Sequence, residues 1–446
     1  MTINRNRRSA ILLLAMDLAS IAVLFNLLFW LRGTASEIFL WPVAAPAAVF
    51  VVSIHLISGY GARTDMLSLD YASLHLIASM TAAVATIFLA FAFIPPGFEL
   101  QSSRGSLILG FFILGGVTLA YRRYLYARSA TSRGELNLVF VGTAADFSSF
   151  KAECQRMGTL NPLVHADTAA GSQALEAVLD SIARGEVQVE AVILRESARE
   201  FTPDTPMKLV QLYFSGVPTY TLELFHQAYW EKIPLYRINS IWLFQEGFQI
   251  AREPVFERIK RFSDIVFASV GLVLAAIPVA LAAAAIKLDD GGPVFFVQTR
   301  IGRHKRPFAL HKLRTMRAAA SPGDPYTRQG DSRITRMGRL LRAGRLDELP
   351  QLWNVLVGDM SLIGPRAEWD RLVDDYEKQI PSYHFRHLVK PGITGLAQVN
   401  YRYGTGIEDT LRKLEYDLYY IRNFSFMLDA SIVLKTLHVM ILRKGH

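Results

Sequence analysis

Residues 265–286 read IVFASVGLVLAAIPVALAAAAI and come shortly after the basic segment Arg258-Ile259-Lys260-Arg261. This apolar run is long enough to cross the hydrocarbon core of a bilayer, which needs about 20 residues. Pro278 lies past its middle, where a proline removes a backbone donor and bends a helix. A full crossing would also place the basic C-terminal residues outside the cytoplasm, against the positive-inside rule. We therefore predict a re-entrant helix at about residues 262–287 that breaks near Pro278, with a fifth crossing as the alternative.

The first quarter of the chain contains four further apolar stretches, at residues 9–31, 38–58, 72–95 and 106–121. Each is near the length of a membrane-spanning helix, so we predict a membrane α-helical bundle over residues 1–125 rather than the buried helices of a soluble protein. The first run is too long for a signal peptide, and we expect it to be retained. Arginines cluster before the first run, between the second and third, and after the fourth: Arg5, Arg7, Arg8, Arg63, Arg122, Arg123, Arg128 and Arg133. This distribution predicts a cytoplasmic N-terminus and places everything after Arg122 in the cytoplasm.

The composition agrees with a membrane protein and indicates which classes of binding partner to expect. Apolar residues make up 51% of the 446 residues, and the formal net charge is +9. On such a chain a basic excess indicates contact with the anionic headgroups of membrane lipids. No nucleic-acid motif accompanies the scattered basic residues, so nucleic acid is not expected as a partner. The single cysteine, Cys154, excludes an intramolecular disulfide and a cysteine-cluster metal site.

Residues 126–230 alternate short apolar strands with helical segments, which predicts a small α/β Rossmann-like domain. The strands are expected at 136–141, 163–167, 189–194 and 217–222, and the helices near 146–157, 173–184 and 207–215. After the first strand only Gly142 remains of the three glycines that let a backbone approach a pyrophosphate. The domain is therefore degenerate, and we expect a structural or regulatory role. Residues 231–256 form a connector, with one further strand expected at 241–244.

Basic residues recur through the polar C-terminal part of the chain. Arg300 lies in a basic turn that follows an aromatic and β-branched strand. Lys312 and Arg314 are two positions apart on the next predicted strand and would share one face. Converging cations suit a phosphate, although a solvated strand edge would look the same. Arg366 ends a glycine-containing turn, for which a plain surface turn is an equal interpretation.

The most informative segment is Arg342 to Leu356, in which Asp347 and Glu348 are adjacent. Leucines at helical spacing follow them, and Pro350 is typical of a helix start. Asp347 could simply cap that helix, because carboxylates interact favourably with the positive end of the helix dipole. Alternatively, the two carboxylates and the nearby Arg342 belong to a site for chemistry.

Taken in order, the motifs GPVFFVQTRIG, HKLRTM, LDELPQLWNVLVGDMSLIGPR, KPGITGLAQVN and LEYDLYYIRNFS resemble the bacterial sugar transferases, monotopic phosphoglycosyl transferases that act on polyprenyl phosphate. The resemblance covers about residues 256–442, and the N-terminal helices resemble those of the long members that initiate exopolysaccharide, capsule or O-antigen synthesis. It implies an α+β catalytic domain at 257–446 with a re-entrant membrane helix and a proline break, which Pro278 matches. The sequence departs mildly from the family pattern at two positions. Leu313 stands where the family motif KFRTM has phenylalanine, and Ile277 stands where a small residue usually precedes the proline.

The resemblance also implies the roles of individual residues. Asp347 would be the nucleophile that attacks the β-phosphate of a UDP-sugar, expels UMP and carries a phospho-sugar to undecaprenyl phosphate. Glu348 would hold Mg²⁺. Lys312, Arg342 and Arg366 match phosphate-contacting positions, and we add Arg314 and Arg300 as candidates. Glucose and galactose are the common sugars of the family, the bacterial inner membrane is the expected location, and homo-oligomerisation is left open.

Two alternatives belong to other functional classes. The protein could be a catalytically inactive membrane scaffold or regulator of polysaccharide assembly, or a basic module that only binds anionic lipids. The intact pair Asp347 and Glu348 argues against the first, and the ordered motifs argue against the second.

Overall fold

The computed structural model describes residues 2–31, 41–61, 64–93, 104–133, 136–170, 172–195, 204–235, 254–317, 331–380, 382–401, 404 and 406–442. The chain divides into two compact units, Met1–Trp230 and Glu231–His446. The first unit contains apolar helices followed by an α/β sheet. The second unit contains one long apolar helix and a mixed domain.

Four apolar helices open the chain, which confirms the predicted number: α1 Thr2–Leu31, α2 Trp41–Leu56, α3 Leu69–Phe93 and α4 Arg104–Arg133. Three of them contain stretches long and apolar enough to span a membrane, at 7–28, 69–92 and 104–128. The apolar part of α2 is shorter, at 43–56, and residues 32–40 before it lie outside the described part of the chain. By length and composition this is a membrane protein, whereas its orientation is still a prediction.

A buried ion pair joins the first and last helices of this group. The Nη2 of Arg122 on α4 lies 2.6 Å from a carboxylate oxygen of Asp17 on α1, and both side chains are fully buried. The hydroxyls of Tyr60 and Tyr121 donate to the same carboxylate. Charges at this depth are costly unless they are paired, so the two oppositely charged residues hold α1 against α4. The sequence analysis missed this pair.

The α/β part of the first unit has four parallel strands in the order β2-β1-β3-β4. They are β1 Asn137–Gly142, β2 Leu163–Asp167, β3 Val189–Leu194 and β4 Thr219–Thr221, and the helices between and after them are α5 Ala144–Arg156, α6 Ser172–Ala183, α7 Asp204–Phe214 and α8 Leu222–Trp230. Alternate residues of β1 face opposite sides: Val139 packs with Leu175, and Phe140 with Phe150. Helices therefore cover both faces of the sheet, and the predicted strands and helices are present.

The turn after β1 is where a dinucleotide-binding fold would hold its pyrophosphate. Here Thr143 caps α5, and Asp146 in its first turn pairs with Arg195 at 2.9 Å. A Cβ on Gly142 would lie 2.8 Å from the Cβ of Arg195. A carboxylate paired with an arginine thus occupies the helix start that an anion would need, which favours the structural or regulatory role.

The second unit begins with α9 Pro254–Asp290, which continues through Pro278. The break predicted near Pro278 therefore stays a prediction. Buried contacts at Ala275 and Ala282 lie on both sides of the proline and hold the two halves in place, and apolar helices tolerate a proline when neighbouring residues compensate. The strand expected at 241–244 lies outside the described residues.

The rest of the second unit is a mixed domain with two small sheets, β5–β6 antiparallel and β7–β8 parallel. Its elements are β5 Phe295–Ile301, β6 Pro307–Leu313, α10 Arg336–Ala343, α11 Gln351–Val357, β7 Ser361–Ile363, α12 Asp370–Gln379, β8 Gly392–Thr394, α13 Leu396–Asn400, α14 Ile407–Arg422 and α15 Phe426–Ile441. The largest core gathers α12, α14 and the loops around β8.

One side of α9 packs on this domain. Ala268 is buried with Val355 of α11, and further along the helix Ile286 is buried with Leu313 of β6. The opposite side exposes large apolar side chains at helical spacing, each at least 64% accessible: Phe267, Leu274, Ile277 and Leu281. A continuous apolar stripe of this size indicates contact with lipid.

Candidate active site

The two adjacent carboxylates lie on a short 3₁₀ turn, Leu346–Glu348, between α10 and α11. Arg345 precedes the turn with φ 50°, a left-handed conformation that is unfavourable for a residue with a Cβ. Asp347 is buried and does not cap α11, whose N-cap is Pro350. Asp347 is therefore not the cap of α11, although it does lie in the first turn of a helical segment, which was the other structural interpretation.

Glu348 is surrounded by cations from three parts of the domain. Its carboxylate lies 3.4 Å from the Nζ of Lys312 on β6, 3.2 Å from the Nη2 of Arg366 after β7, and 3.7 Å from the Nη1 of Arg345. Lys312 and Arg366, singled out from the sequence, thus meet at the predicted metal ligand. Arg345 was not singled out, although it immediately precedes the carboxylate pair in sequence.

The other three predicted cations, Arg300, Arg342 and Arg314, make no ion pair with Glu348 among the described residues. Arg300 lines the same small cavity as Lys312 and Arg366, and its guanidinium donates to the carbonyl of Ala367 at 3.2 Å. Arg342 on α10 donates to the Oγ1 of Thr315 at 2.9 Å, and its charge acts on Asp347.

Arg314 directly follows the end of β6, and its N–H donates to the carbonyl of Val294 at 2.8 Å. Its guanidinium lies against Gly292, where a Cβ would be 2.1 Å from Nη1. The face shared by Lys312 and Arg314 stays a prediction. Lys312 still points to Glu348.

The two carboxylates differ in their electrostatic environment. Burial raises the pKa of Glu348, but Arg366, Lys312 and Arg345 outweigh it and hold the pKa at about 2. Burial and the neighbouring Glu348 charge raise the pKa of Asp347 above its usual range, despite the nearby cations. Glu348 is therefore a fixed anion, and Asp347 is the more basic carboxylate. Opposite shifts in adjacent acids are typical of groups with separate chemical roles.

Lys312 is shifted as well. Burial lowers its pKa to about 8, with the charge of Glu348 acting in the opposite direction. The charges of Arg366 and Arg300 act in the same direction as burial, and Asp347 acts with Glu348 against it. An additional anion such as a phosphate would therefore stabilise the charged form of Lys312.

Close backbone contacts position Arg366. The N–H of Gly364 donates to the carbonyl of Thr394, and the N–H of Gly392 donates to the carbonyl of Pro365, both at 2.9 Å. A Cβ on Gly392 would lie 2.1 Å from the nitrogen of Gly364. Gly364, in the motif that ends in GPR, and Gly392, in the motif that begins with KPG, are therefore needed because the backbones of their two loops are in contact.

A buried arginine supports the same loop. The Nη2 of Arg386 donates to the carbonyl of Arg366 at 2.9 Å and forms an ion pair with Asp417 at 2.9 Å, and its Nη1 donates to the hydroxyl of Tyr383 at 2.6 Å. Burial raises the pKa of Asp417 to about 6, with Arg386 lowering it. The sequence analysis missed both residues. Asp417 carried a signal, since it lies on the apolar face of α14 with Leu414 and Ile421.

We expect Arg386→Gln to destabilise the full chain in detergent by about 3–5 kcal/mol, because it leaves the buried Asp417 carboxylate without its cation. The measurement is the midpoint of unfolding. Arg339→Gln, an exposed change on α10, is the matched control and should cost less than about 0.5 kcal/mol. Equal midpoints for both variants would contradict the importance of the Arg386–Asp417 pair.

The chain has relatives whose names describe one chemistry. The sequence model of the family described as "Bacterial sugar transferase" matches residues 255–443. The chain is 37% identical to the UDP-N-acetylgalactosamine-undecaprenyl-phosphate N-acetylgalactosaminephosphotransferase of Aeromonas hydrophila, over 59% of this chain and 62% of that protein.

Two further relatives match a shorter part of this chain. The UDP-glucose:undecaprenyl-phosphate glucose-1-phosphate transferase of Caulobacter vibrioides is 46% identical over 40% of this chain and 67% of its own. The Exopolysaccharide production protein PSS of Rhizobium leguminosarum is 41% identical over 40% of this chain and 92% of its own. The family model spans the carboxylate turn, the cation cluster and the long apolar helix, and the Caulobacter and Rhizobium proteins are matched over two thirds or more of their length. This chain therefore belongs to the bacterial sugar transferase family.

Proposed function

We propose that the protein transfers a hexose-1-phosphate from a UDP-sugar to undecaprenyl phosphate at the membrane surface. The observation that carries the proposal is the buried Asp347 beside Glu348, with Lys312, Arg342 and Arg366 close by. The names of the Aeromonas and Caulobacter relatives support a UDP-sugar donor and undecaprenyl phosphate as acceptor. The Rhizobium relative's name supports a role in exopolysaccharide production, and we propose that this role is the first membrane step.

The reaction would proceed in two displacements at phosphorus. A carboxylate oxygen of Asp347 attacks the β-phosphorus of the UDP-sugar, and the bond to UMP breaks as UMP leaves with the electron pair. A phosphate oxygen of undecaprenyl phosphate then attacks the same phosphorus, and the Asp347 carboxylate leaves. Asp347 suits the nucleophile because it is the more basic of the two carboxylates and is not tied up by the cations around Glu348.

The cations would stabilise the developing charge. Lys312 and Arg366 lie on separate elements, and both side chains donate to the Oε1 of Glu348. Their positive charges are therefore close together. A diphosphate entering there would meet pre-positioned cations, whose effect is greatest in a partly buried site.

We propose that Mg²⁺ binds at Glu348 with the diphosphate. No group of three or more metal-ligating side chains occurs among the described residues. One or two carboxylates fit Mg²⁺, which commonly completes its coordination with substrate phosphates and water. When bound, the ion would shield the diphosphate from the approaching Asp347 carboxylate.

We also propose that α9 is re-entrant. Its N-terminal half packs on α11 through Ala268 and its C-terminal half on β6 through Ile286, while the Oδ2 of Asp289 accepts the N–H of Met337 at 3.3 Å. A crossing helix carries its ends to opposite faces of the bilayer. One domain could not contact both halves without entering the hydrocarbon itself. These contacts support a helix that begins and ends on the cytoplasmic side.

The topology prediction concerns the C-terminus. A fluorescent-protein fusion at His446 should be bright and an alkaline phosphatase fusion there inactive, because the C-terminus would lie in the cytoplasm. Fusions after residue 98, in the loop predicted to lie outside, are the control and should give the reverse pattern. Active phosphatase at His446 would show that α9 crosses the membrane.

The activity prediction concerns Asp347. Membranes carrying the wild-type chain should release UMP from at least one member of a panel of UDP-sugars when undecaprenyl phosphate and Mg²⁺ are present. Asp347→Asn should reduce release at least about 10³-fold, since the nucleophile is lost while the chain still inserts. Asp375→Asn, an exposed change on α12, is the matched control and should be unaffected. Turnover retained in Asp347→Asn would exclude Asp347 as nucleophile.

The metal prediction concerns Glu348. Chelation with EDTA should abolish UMP release by the wild-type chain. Glu348→Gln should raise the Mg²⁺ concentration for half-maximal rate by about tenfold or more, because a direct ligand contributes at least as much as an outer-shell one. Glu377→Gln, whose partner is the exposed Lys305, is the control. An unchanged Mg²⁺ dependence in Glu348→Gln would show that Glu348 is not a ligand of the metal ion.

A further inference from the structure

A second cavity lies beside the first turns of α9, apart from the carboxylate turn. Its volume is about 500 Å³, and it is bounded by α9, β7, the segment before β8 and the end of α14. Neither Asp347 nor Glu348 lines it. No ligand was predicted from the sequence for the residues that form it.

The cavity is strongly cationic. Its described lining has five basic side chains and two carboxylates, and both carboxylates are already engaged. Glu257 pairs with Arg303 at 2.6 Å, and the Oδ1 of Asp264 accepts the N–H of Leu362 at 3.1 Å. Lys260 pairs with Asp429, which lies outside the lining, at 2.6 Å.

Three basic residues of the lining have no carboxylate within ion-pair distance in the described part of the chain: Arg258, Arg261 and Lys390. Arg261 donates to the carbonyls of Val355 and Leu356 at 2.5 and 2.6 Å, so its position is fixed by neutral groups. Lys390 is half-buried, and burial together with the charge of Arg261 lowers its pKa. The charges of Asp264 and Glu257 act on Lys390 in the opposite direction. The five basic side chains still outnumber the two carboxylates of the lining, and such an excess of positive charge is suited to an anion.

The wall of the cavity becomes apolar toward the membrane helix. Arg258, Phe262 and Ile265 lie along one side of α9 at intervals of about one turn, so the same side changes from basic to apolar along the axis. Phe424 and Val389 continue the apolar wall from the domain. Phe262 is also 69% exposed, and with Phe267 it belongs to the apolar surface that indicates contact with lipid.

We propose that this cavity holds the headgroup of an anionic membrane phospholipid, with its phosphodiester near Arg258, Arg261 and Lys390 and the start of its acyl chains along Phe262 and Ile265. The gradient from fixed cations to exposed apolar side chains matches an amphiphile rather than a free ion. The lining lacks the reactive carboxylates, so the site is separate from the place where an acceptor phosphate would react. The bound lipid would anchor the start of α9 at the interface.

The test measures lipid bound to the full chain in detergent by native mass spectrometry, with phosphatidylglycerol and phosphatidylcholine as probes. The wild-type chain should retain phosphatidylglycerol in preference to phosphatidylcholine. Lys390→Gln should bind phosphatidylglycerol about fivefold more weakly, since one lysine near an anionic surface contributes about 1 kcal/mol. Lys390→Arg should restore binding, and Lys378→Gln, 76% exposed on α12, should leave it unchanged.

If Lys390→Gln does not fold, as judged by its unfolding midpoint, Arg258→Gln at an exposed position gives the same test. Equal retention of the two lipids, or unchanged phosphatidylglycerol binding in a folded Lys390→Gln, would overturn the proposal. Displacement of phosphatidylglycerol by inorganic phosphate alone would show an ion site instead. Displacement by equimolar undecaprenyl phosphate would assign the cavity to the acceptor. No sugar donor is present, so the outcome is independent of the transferase activity.

Discussion

The site is organised around one partly buried anion, the carboxylate of Glu348, and the cations that surround it. Lys312 comes from β6, Arg366 from the loop after β7, and Arg345 from the strained residue before the carboxylate turn. Without Glu348 these positive charges would repel one another in a partly desolvated space, so the anion lets them converge. Asp347 immediately precedes Glu348 in the chain and is thereby placed beside the same cations. Among the described residues, none of these cations forms a direct ion pair with Asp347.

The same domain is arranged around the long apolar helix. Both halves of α9 pack on the mixed domain, and the lipid-facing stripe of α9 starts close to a cationic cavity. A water-soluble nucleotide sugar and a lipid acceptor can meet only where cytoplasm and bilayer are adjacent. A helix that begins and ends on one face would hold the carboxylate turn at that boundary. The N-terminal helices, joined by Asp17 and Arg122, supply additional membrane attachment.

Local patterns were sufficient for much of this structure. Apolar length located the membrane helices, period-two strands located the α/β sheet, and adjacent charged motifs located Lys312, Asp347, Glu348 and Arg366. What the sequence did not reveal depends on tertiary contacts. The helix α9 continues through Pro278, with Ala275 and Ala282 buried on either side of the proline. Arg386 could not be found from its own sequence, since its role comes from contact with Arg366 and Asp417.

The proposed covalent bond between Asp347 and phosphorus can be tested without any acceptor. The full chain is incubated with a UDP-sugar that supports UMP release, quenched rapidly, digested, and examined by mass spectrometry. A hexose-phosphate adduct on the peptide containing Asp347, absent from Asp347→Asn, is the expected result. Release of UMP in the complete reaction with no adduct at Asp347 under any quench condition would mean that the sugar phosphate passes directly from donor to lipid.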